Sequence, residues 1–396
     1  MDFTPTEEQA AARDLALRIF GDLATPERLA AAGTGSDPEA WKALCAAGLV
    51  GAVAELGLLG LVLLLEEQGR TTAQVPFAST CVYGLLAVAT HGSPEQRARL
   101  LPGIEDGSVV VCGAVSGQGA VRARVRSRGR AARGEREAGE EQRPAARGEL
   151  SGTVPVVPWL RDATHVLVAD ERRGLWLAPV TDAVGVEAVE LTAPWAAGRL
   201  TLDGAPAERL GPADAHRAAE AERPEPDPHS PSRLPTPSPY ADVLATARTA
   251  FAGLQAGVGA GALSRAVAHV NAREQFGRPL ATRQAVQLRA ADAHMDIEAM
   301  RVTAYEAAWR RDAGLPYATH ALTAAWWASE AGQRVVHTGQ HLHGGAGADL
   351  DHPVHRHFLW GRQLDAYLGG GGEVLQELGE LIVREEEEKE REVGEG

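Results

Sequence analysis

The spacing of apolar and polar positions changes character twice along the chain. From Pro5 to about Leu101, apolar residues recur at helical spacing between Gly and Pro stops. Thr6 followed by Glu7 and Glu8 marks a helix start, and Ala16, Ile19 and Phe20 share a face of that helix. From Val109 to about Leu202, short β-rich runs take over (VVVCGAV, THVLVAD, GLWLAPV), separated by Gly, Asp and Pro as in a small sheet domain. From Asp242 the helical period returns, with Val243, Ala247, Phe251, Leu254 and Val258 along one face. Leu288, Met295, Val302, Tyr305 and Trp309 line a face of another helix. The expected fold class is α+β, mainly α.

This pattern divides the chain into a helical domain over 1–108, a β domain over 109–210, a linker over 211–240, a helical bundle over 241–384 and an acidic tail over 385–396. In the linker, PEPDPHSPSRLPTPSP holds seven prolines, so neither helix nor central strand can persist. Two segments are compositionally odd. Val121–Gly148 has nine arginines among Ala, Gly and Glu, and Glu385–Gly396 reads EEEEKEREVGEG; both are expected to be solvated or disordered. RNA binding is a poor reading of the arginine run, which lacks interleaved aromatics and carries Glu135, Glu137, Glu140 and Glu141.

Composition narrows the functional classes. The 396 residues are 44% hydrophobic and 23% charged, enough apolar content to fill a core. A net charge of −14 opposes nucleic acid and anionic lipid as partners. Cys45, Cys81 and Cys112 are far apart, without a CxxC pair, which supplies neither a disulfide framework nor a zinc site. The opening MDFTPTEEQAAARD has two glutamates where a signal peptide would be basic, so a cytoplasmic location is expected. Gly48–Leu65 approaches membrane-spanning length, but Glu55 and four glycines interrupt it and a buried core helix is the expectation.

Three ordered strings carry a resemblance. MDFTPTEEQAAARDLA resembles the first helix of the acyl-CoA dehydrogenase family. REQFGRP at Arg273–Pro279 resembles its RxxFGxP stretch, with Gln284 eight residues beyond Phe276. QHLHGGAGADLDHPVHRHF, Gln340–Phe358, resembles the family's glycine-rich turn and the HPVHR-like segment after it. The resemblance implies an N-terminal helical domain, a small middle β domain and a C-terminal four-helix bundle. It also implies a homotetramer or heterotetramer in which FAD is completed by a neighbouring subunit. Arg273, Gln275, Phe276 and Gln284 match positions that touch FAD held mainly by the adjacent subunit, and His341, Gly344 and Gly345 match a second such patch. The residue types agree: a guanidinium forks onto a pyrophosphate, an aromatic face stacks, and paired glycines admit a ligand to the backbone. Taken alone, the glycines would be an ordinary helix stop, Arg273 a surface partner of Glu274 or Asp292, and His341, His343, His352 and His355 local caps. No carboxylate or thiolate pattern accompanies those histidines, so no metal is expected.

Family enzymes remove a proton α to a thioester carbonyl with a glutamate and pass a hydride to the flavin. Aligned through HPV and Arg362, the family's Tyr-Glu-Gly string falls on Tyr367, Leu368 and Gly369. The other known base position, before an arginine matching Arg248 on the substrate side, falls on Ala247. Neither residue can accept a proton. Glu373 and Asp365 are the nearby substitutes, and a solvated surface charge is the plainer reading of each. Where the family has a Trp-x-Thr strand reaching flavin N5, this chain has Val156-Val157-Pro158, and proline donates nothing. Trp159 stands one residue away, as a stacking partner for the flavin or a β-core indole.

The groups a subunit supplies to its own site are thus missing, while those lent across an interface remain. This resembles the accessory subunits of heterotetrameric acyl-CoA dehydrogenases of steroid and related degradation. The expected partners are a homologous Glu-bearing subunit, an acyl-CoA thioester and an electron-transfer acceptor. Two alternatives stand beside it: a self-sufficient flavin dehydrogenase or oxidase using Glu373 or Asp365, and a binding or structural homologue without flavin.

Overall fold

The computed structural model describes residues 3–115, 121–125, 146–211 and 238–394. Its first part is helical: α1 (Glu7–Leu23), α2 (Pro26–Ala32), α3 (Pro38–Ala46), α4 (Leu49–Thr71), α5 (Phe77–His91) and α6 (Pro94–Glu105). Thr6 caps α1 as expected, its hydroxyl accepting from Gln9 N–H while the Gln9 side chain returns to Thr6 N–H. Ala16 and Phe20 are buried and Ile19 packs against them from the edge.

Helix α4 is long and apolar enough to cross a membrane, yet it is buried from Leu58 to Gly69 inside the core. It bends at Gly57, whose φ of 73° breaks the hydrogen-bond ladder. The Asp312 carboxylate accepts from the freed Leu58 and Leu59 N–H groups at 2.8 and 2.9 Å, recapping the second half. Within α5, residues Thr80–Leu86 form a π-helical segment that carries Tyr83.

The middle of the chain is a seven-stranded sheet: β1 (Val111–Ala114), β2 (Val121–Val125), β3 (Arg147–Val157), β4 (His165–Ala169), β5 (Leu175–Pro179), β6 (Val184–Ala188) and β7 (Gly198–Leu210). The order is β1-β4-β5-β7-β3-β2 with β6 also on β7; β1 and β4 are parallel and the other pairs antiparallel. The arginine-rich segment corrects the sequence reading at both of its ends. Val121–Val125 pairs residue for residue with Gly152–Gly148, because Val121 and Ala123 alternate with Arg122 and Arg124 at the period of a half-buried strand. Residues 126–145 lie outside the described residues, as do 212–237 of the expected linker.

The third part comprises α7 (Pro239–Ala272), a hairpin of β8 (Glu274–Gln275) and β9 (Arg278–Pro279), α8 (Gln284–Asp312), α9 (Ala318–His343), α10 (Val354–Leu368) and α11 (Gly371–Gly394). Helix α7 begins two residues inside the expected linker, with Ser238 accepting from Ala241 N–H. Its whole predicted face, Val243 to Val258, is buried. Gly253, Gly257 and Gly261 recur every four residues on α7 where it crosses α4; a Cβ on Gly257 would stand 2.1 Å from Glu66 O, and one on Gly261 2.3 Å from Arg70 O. The two helices are therefore in backbone contact.

Two further segments take a definite form in the structure. The acidic tail is helical through Gly394, since Glu, Lys and Arg are strong helix formers and α11 simply continues into it. The Leu288, Met295 and Val302 face of α8 points outward, with 57%, 66% and 51% of each residue exposed. Helical periodicity identified a shared face there, and the core took the opposite one through Ala293, Ile297 and Met300.

Candidate functional site

The residues expected to serve a neighbour's cofactor gather at one end of the bundle. Ala266 and Val270 of α7 pack on Leu342 of α9 and on Leu280, Ala281 and Val286 ahead of and within α8, which brings the β8–β9 hairpin beside the glycine turn. At the hairpin tip Phe276 and Gly277 both have positive φ, 57° and 77°, the signature of a type I′ turn. That conformation favours Asn-Gly and strains a bulky aromatic, yet Phe276 is 89% exposed. The Arg283 guanidinium lies over its ring, 5.0 Å from the centroid. Arg283 also donates to Gln275 O at 3.3 Å. Sequence spacing gave no reason to single out Arg283.

Arg273, Gln275, Gln284, His341, Gly344 and Gly345 are exposed around this aromatic tip. Arg273 makes no ion pair with Glu274, Asp292 or any other described residue. Gly344 ends α9 at φ 64°, so a side chain there would be strained, and nothing stands within 4 Å of a Cβ built on Gly344 or Gly345. These glycines are not demanded by packing within the chain. An open guanidinium, an exposed aromatic face, side-chain amides and an accessible glycine turn fit the diphosphate and ring of a dinucleotide.

The junction of sheet and bundle, where the chain's own flavin ring would lie by the family pattern, is built differently. Trp159 adopts φ 59° just after β3 and is 1% exposed. Its indole stacks on Trp195 at 4.4 Å and approaches Phe251 at 6.1 Å; Trp195 meets Trp360 edge-on at 5.3 Å, and Phe251 meets Tyr367 at 4.7 Å. At 4.4 Å no third ring can enter between the first two. Tyr83 closes the cluster through a hydrogen bond between its hydroxyl and that of Tyr367. Burial pushes both phenols above their ordinary range, so neither is a base. Trp195 Nε1 and Trp360 Nε1 find no acceptor among the described residues, so apart from the Tyr83–Tyr367 pair the cluster is held by ring packing. Together with Pro158, this set does not fit an isoalloxazine.

The substitute carboxylates point elsewhere. Asp365 accepts from Ser329 Oγ and lies 3.7 Å from Arg362, and Glu373 is exposed at the start of α11. Arg248 is occupied: its guanidinium forks onto Glu377 at 2.9 and 2.5 Å, which holds that carboxyl below its usual range. Ala247 is buried, 5% exposed. Leu368 is the last residue of α10 before Gly369 turns the chain at φ 105°.

Residues 6–108 match the model of the acyl-CoA dehydrogenase N-terminal domain, and residues 241–379 match that of the C-terminal domain. Acyl-CoA dehydrogenase FadE27 of Mycobacterium tuberculosis is 31% identical over 96% of this chain and 98% of its own. The chain belongs to the acyl-CoA dehydrogenase family. Among solved structures, a variant of the Tcur3481-Tcur3483 steroid ACAD is 39% identical and superposes with a TM-score of 0.78, covering 96% of this chain and 98% of that one. The ChsE4-ChsE5 complex of Mycobacterium tuberculosis is 29% identical with a TM-score of 0.79, over 97% and 99% of the two chains. The helical, sheet, bundle order of the family is thus the order seen here.

Proposed function

We propose that this chain is the accessory subunit of a heteromeric acyl-CoA dehydrogenase, completing the FAD site of a homologous glutamate-bearing partner and contributing no base of its own. One observation carries the reading. The junction that should hold a flavin ring and a carboxylate is a closed core of Tyr83, Trp159, Trp195, Phe251, Trp360 and Tyr367, while the edge that serves a neighbour is open and unpaired. FAD, when bound, accepts the β-hydrogen of the acyl thioester as hydride. This chain's part is to hold the nucleotide: Arg273 toward the diphosphate, Phe276 against a ring, Gln275, Gln284 and His341 as polar contacts, and Gly344 and Gly345 admitting the ligand to backbone. A missing general base typically costs about 10² to 10⁴ in rate, so the proton abstraction belongs to the partner. The kinship with a ChsE4-ChsE5 complex and with a steroid ACAD supports a heteromeric assembly acting on a bulky acyl-CoA thioester.

Purification of this chain alone and after co-expression with a homologous chain bearing the glutamate tests the reading. Alone it should retain little flavin and oxidise no acyl-CoA; the co-purified complex should be yellow and active. A yellow, active assembly of this chain by itself would overturn the proposal and return attention to Asp365 and Glu373.

A further inference from the structure

We propose that the outward face of α8 is the surface on which this chain pairs with a second copy of itself, the two helices running antiparallel about a two-fold axis at Met295. The contact goes beyond the accessory role above and does not depend on it.

Helix α8 is apolar on two opposite faces. Ala293, Ile297, Met300 and Ala304 are buried against the core. On the far side Leu288, Met295 and Val302 recur every seven residues and are each more than half exposed, with Ala291 exposed and Ala299 half-buried between them. A helix apolar on both sides is ordinarily buried on both sides. Seven-residue recurrence is the spacing of a helix seam, in which each large side chain seats among residues of a facing helix. Single exposed apolar residues are ordinary on a surface, whereas three in line along about 21 Å of one helix mark a contact.

The order of residues along the row selects the occupant. Ala291 and Ala299 lie four residues on either side of Met295, and Leu288 and Val302 lie seven. Antiparallel packing of two copies about Met295 therefore sets Met295 on Met295, Ala291 on Ala299 and Leu288 on Val302. Small meets small near the axis and large meets large beyond it, which is the self-complementarity that a two-fold interface demands.

Charge favours the same register. A net charge of −14 per chain opposes self-association in general, so the groups beside the seam must be neutralised locally. Glu298 is bound by Arg301 at 2.6 Å, and Asp296 by Arg334 at 2.7 and 3.0 Å. In the antiparallel pair Glu298 lies across from His294 of the other copy on one flank, and Asp292 lies across from the Asp296–Arg334 pair on the other. A parallel pair in the same register would instead set Glu298 against Glu298, and like charges across an interface are costly. Helix α8 starts at the cofactor-serving edge, with Gln284 as its first residue. Antiparallel pairing separates the two Gln284 residues by about 33 Å along the helices, so both edges stay open to other subunits.

Covalent capture tests the register in the full chain, alone and co-purified with a glutamate-bearing chain. Met295→Cys sits on the axis and should oxidise to a disulfide-linked pair of this chain, because residues facing each other across packed helices come within disulfide reach. Leu288→Cys should not, its two copies being about 21 Å apart. The parent chain, whose Cys45 is half-buried and whose Cys81 and Cys112 are buried, should give no such product. Met295→Glu should weaken pairing at least about 30-fold in sedimentation equilibrium, the effect of losing one anchor at the centre of an interface. Its helix content and unfolding midpoint should match the parent's, since Met295 lies outside the core. Linking of Leu288→Cys as readily as Met295→Cys, or no linking of Met295→Cys in either preparation, overturns the proposal. So does a Met295→Glu chain that pairs like the parent, or one that loses the glutamate-bearing chain and keeps its second copy. Pairing as expected in a chain that captures neither flavin nor a glutamate-bearing subunit would leave this interface standing and remove the accessory role instead.

Discussion

Phe276 separates a ligand-binding role from a structural one because the two roles predict opposite signs for one substitution. The residue sits at φ 57° in a type I′ turn and is 89% exposed, so its ring buries almost nothing. Left-handed backbone costs an ordinary residue about 1–2 kcal/mol, and Asn tolerates it best after Gly. Phe276→Asn should recover most of that strain. It also forfeits the Arg283 contact at 5.0 Å, about 0.5–1 kcal/mol at an exposed site. The net expectation is a chain as stable as the parent or up to about 1 kcal/mol more stable, read by urea denaturation. Binding should move the other way. Aromatic stacking on a nucleobase contributes about 1–3 kcal/mol, so FAD affinity of the partnered complex should fall by about 5- to 150-fold, read by fluorescence titration of the apo-complex. A destabilisation beyond about 1 kcal/mol would make Phe276 a packing residue after all. An unchanged flavin affinity would remove it from the cofactor site.

Other outcomes follow from the same geometry. Burial pushes the Asp242 carboxyl up, but His91 at 2.8 Å, Arg311 at 3.5 Å and the Tyr317 hydroxyl at 2.6 Å prevail and hold it at about 2. A depressed carboxyl stabilises above its unfolded value and loses that contribution as pH falls through the folded one, so stability should drop by about 2 kcal/mol between pH 5 and pH 2. In Asp242→Asn that part of the pH dependence should vanish, which chemical denaturation across pH checks. Gly257→Ala gains about 1 kcal/mol of helix propensity but drives a methyl to 2.1 Å from Glu66 O; a net loss of at least about 2 kcal/mol is expected, and a neutral result would mean that α4 and α7 are not in backbone contact. Leu368→Glu returns a carboxylate to the family's base position, yet the lone chain should still oxidise no acyl-CoA, because its flavin side is filled by aromatic rings. Activity in that variant would show the junction to be an open site.

What was legible in the sequence was local. Thr6 followed by Glu7 and Glu8 announces the first helix because the start signal lies within a few residues, and the REQFGRP and glycine-turn strings carry their meaning in a few adjacent positions. Val121–Val125 escaped notice because nine arginines swamp a two-residue alternation that only the pairing with β3 makes decisive. The outward face of α8 escaped for a different reason: periodicity says that Leu288, Met295 and Val302 share a side, but which side meets the core depends on α7 and α9. The aromatic junction was beyond reach, since Tyr83, Trp159, Trp195, Phe251, Trp360 and Tyr367 come from six places in the chain and meet only after folding. Phe251 and Tyr367 were named for other reasons, and Trp159 was read with stacking on flavin and β-core packing both open; the structure gives the second.

The two halves of the family's cofactor site have followed opposite physical rules in this chain. Where a flavin ring would be gripped from the chain's own side, stacked and edge-on aromatics fill the space, and such rings stabilise a core without any ligand. A fold closed in this way does not depend on cofactor binding for its stability, whereas an empty cleft would. Where a neighbour's nucleotide would be touched, the chain keeps features that fold it poorly: a bulky aromatic in left-handed backbone, an arginine without an acid among the described residues, and a glycine turn against open space. Strain and unpaired charge persist where something outside the chain makes use of them. A core packed without a cofactor and an edge of strained and unpaired groups are what the proposed accessory role requires of this chain.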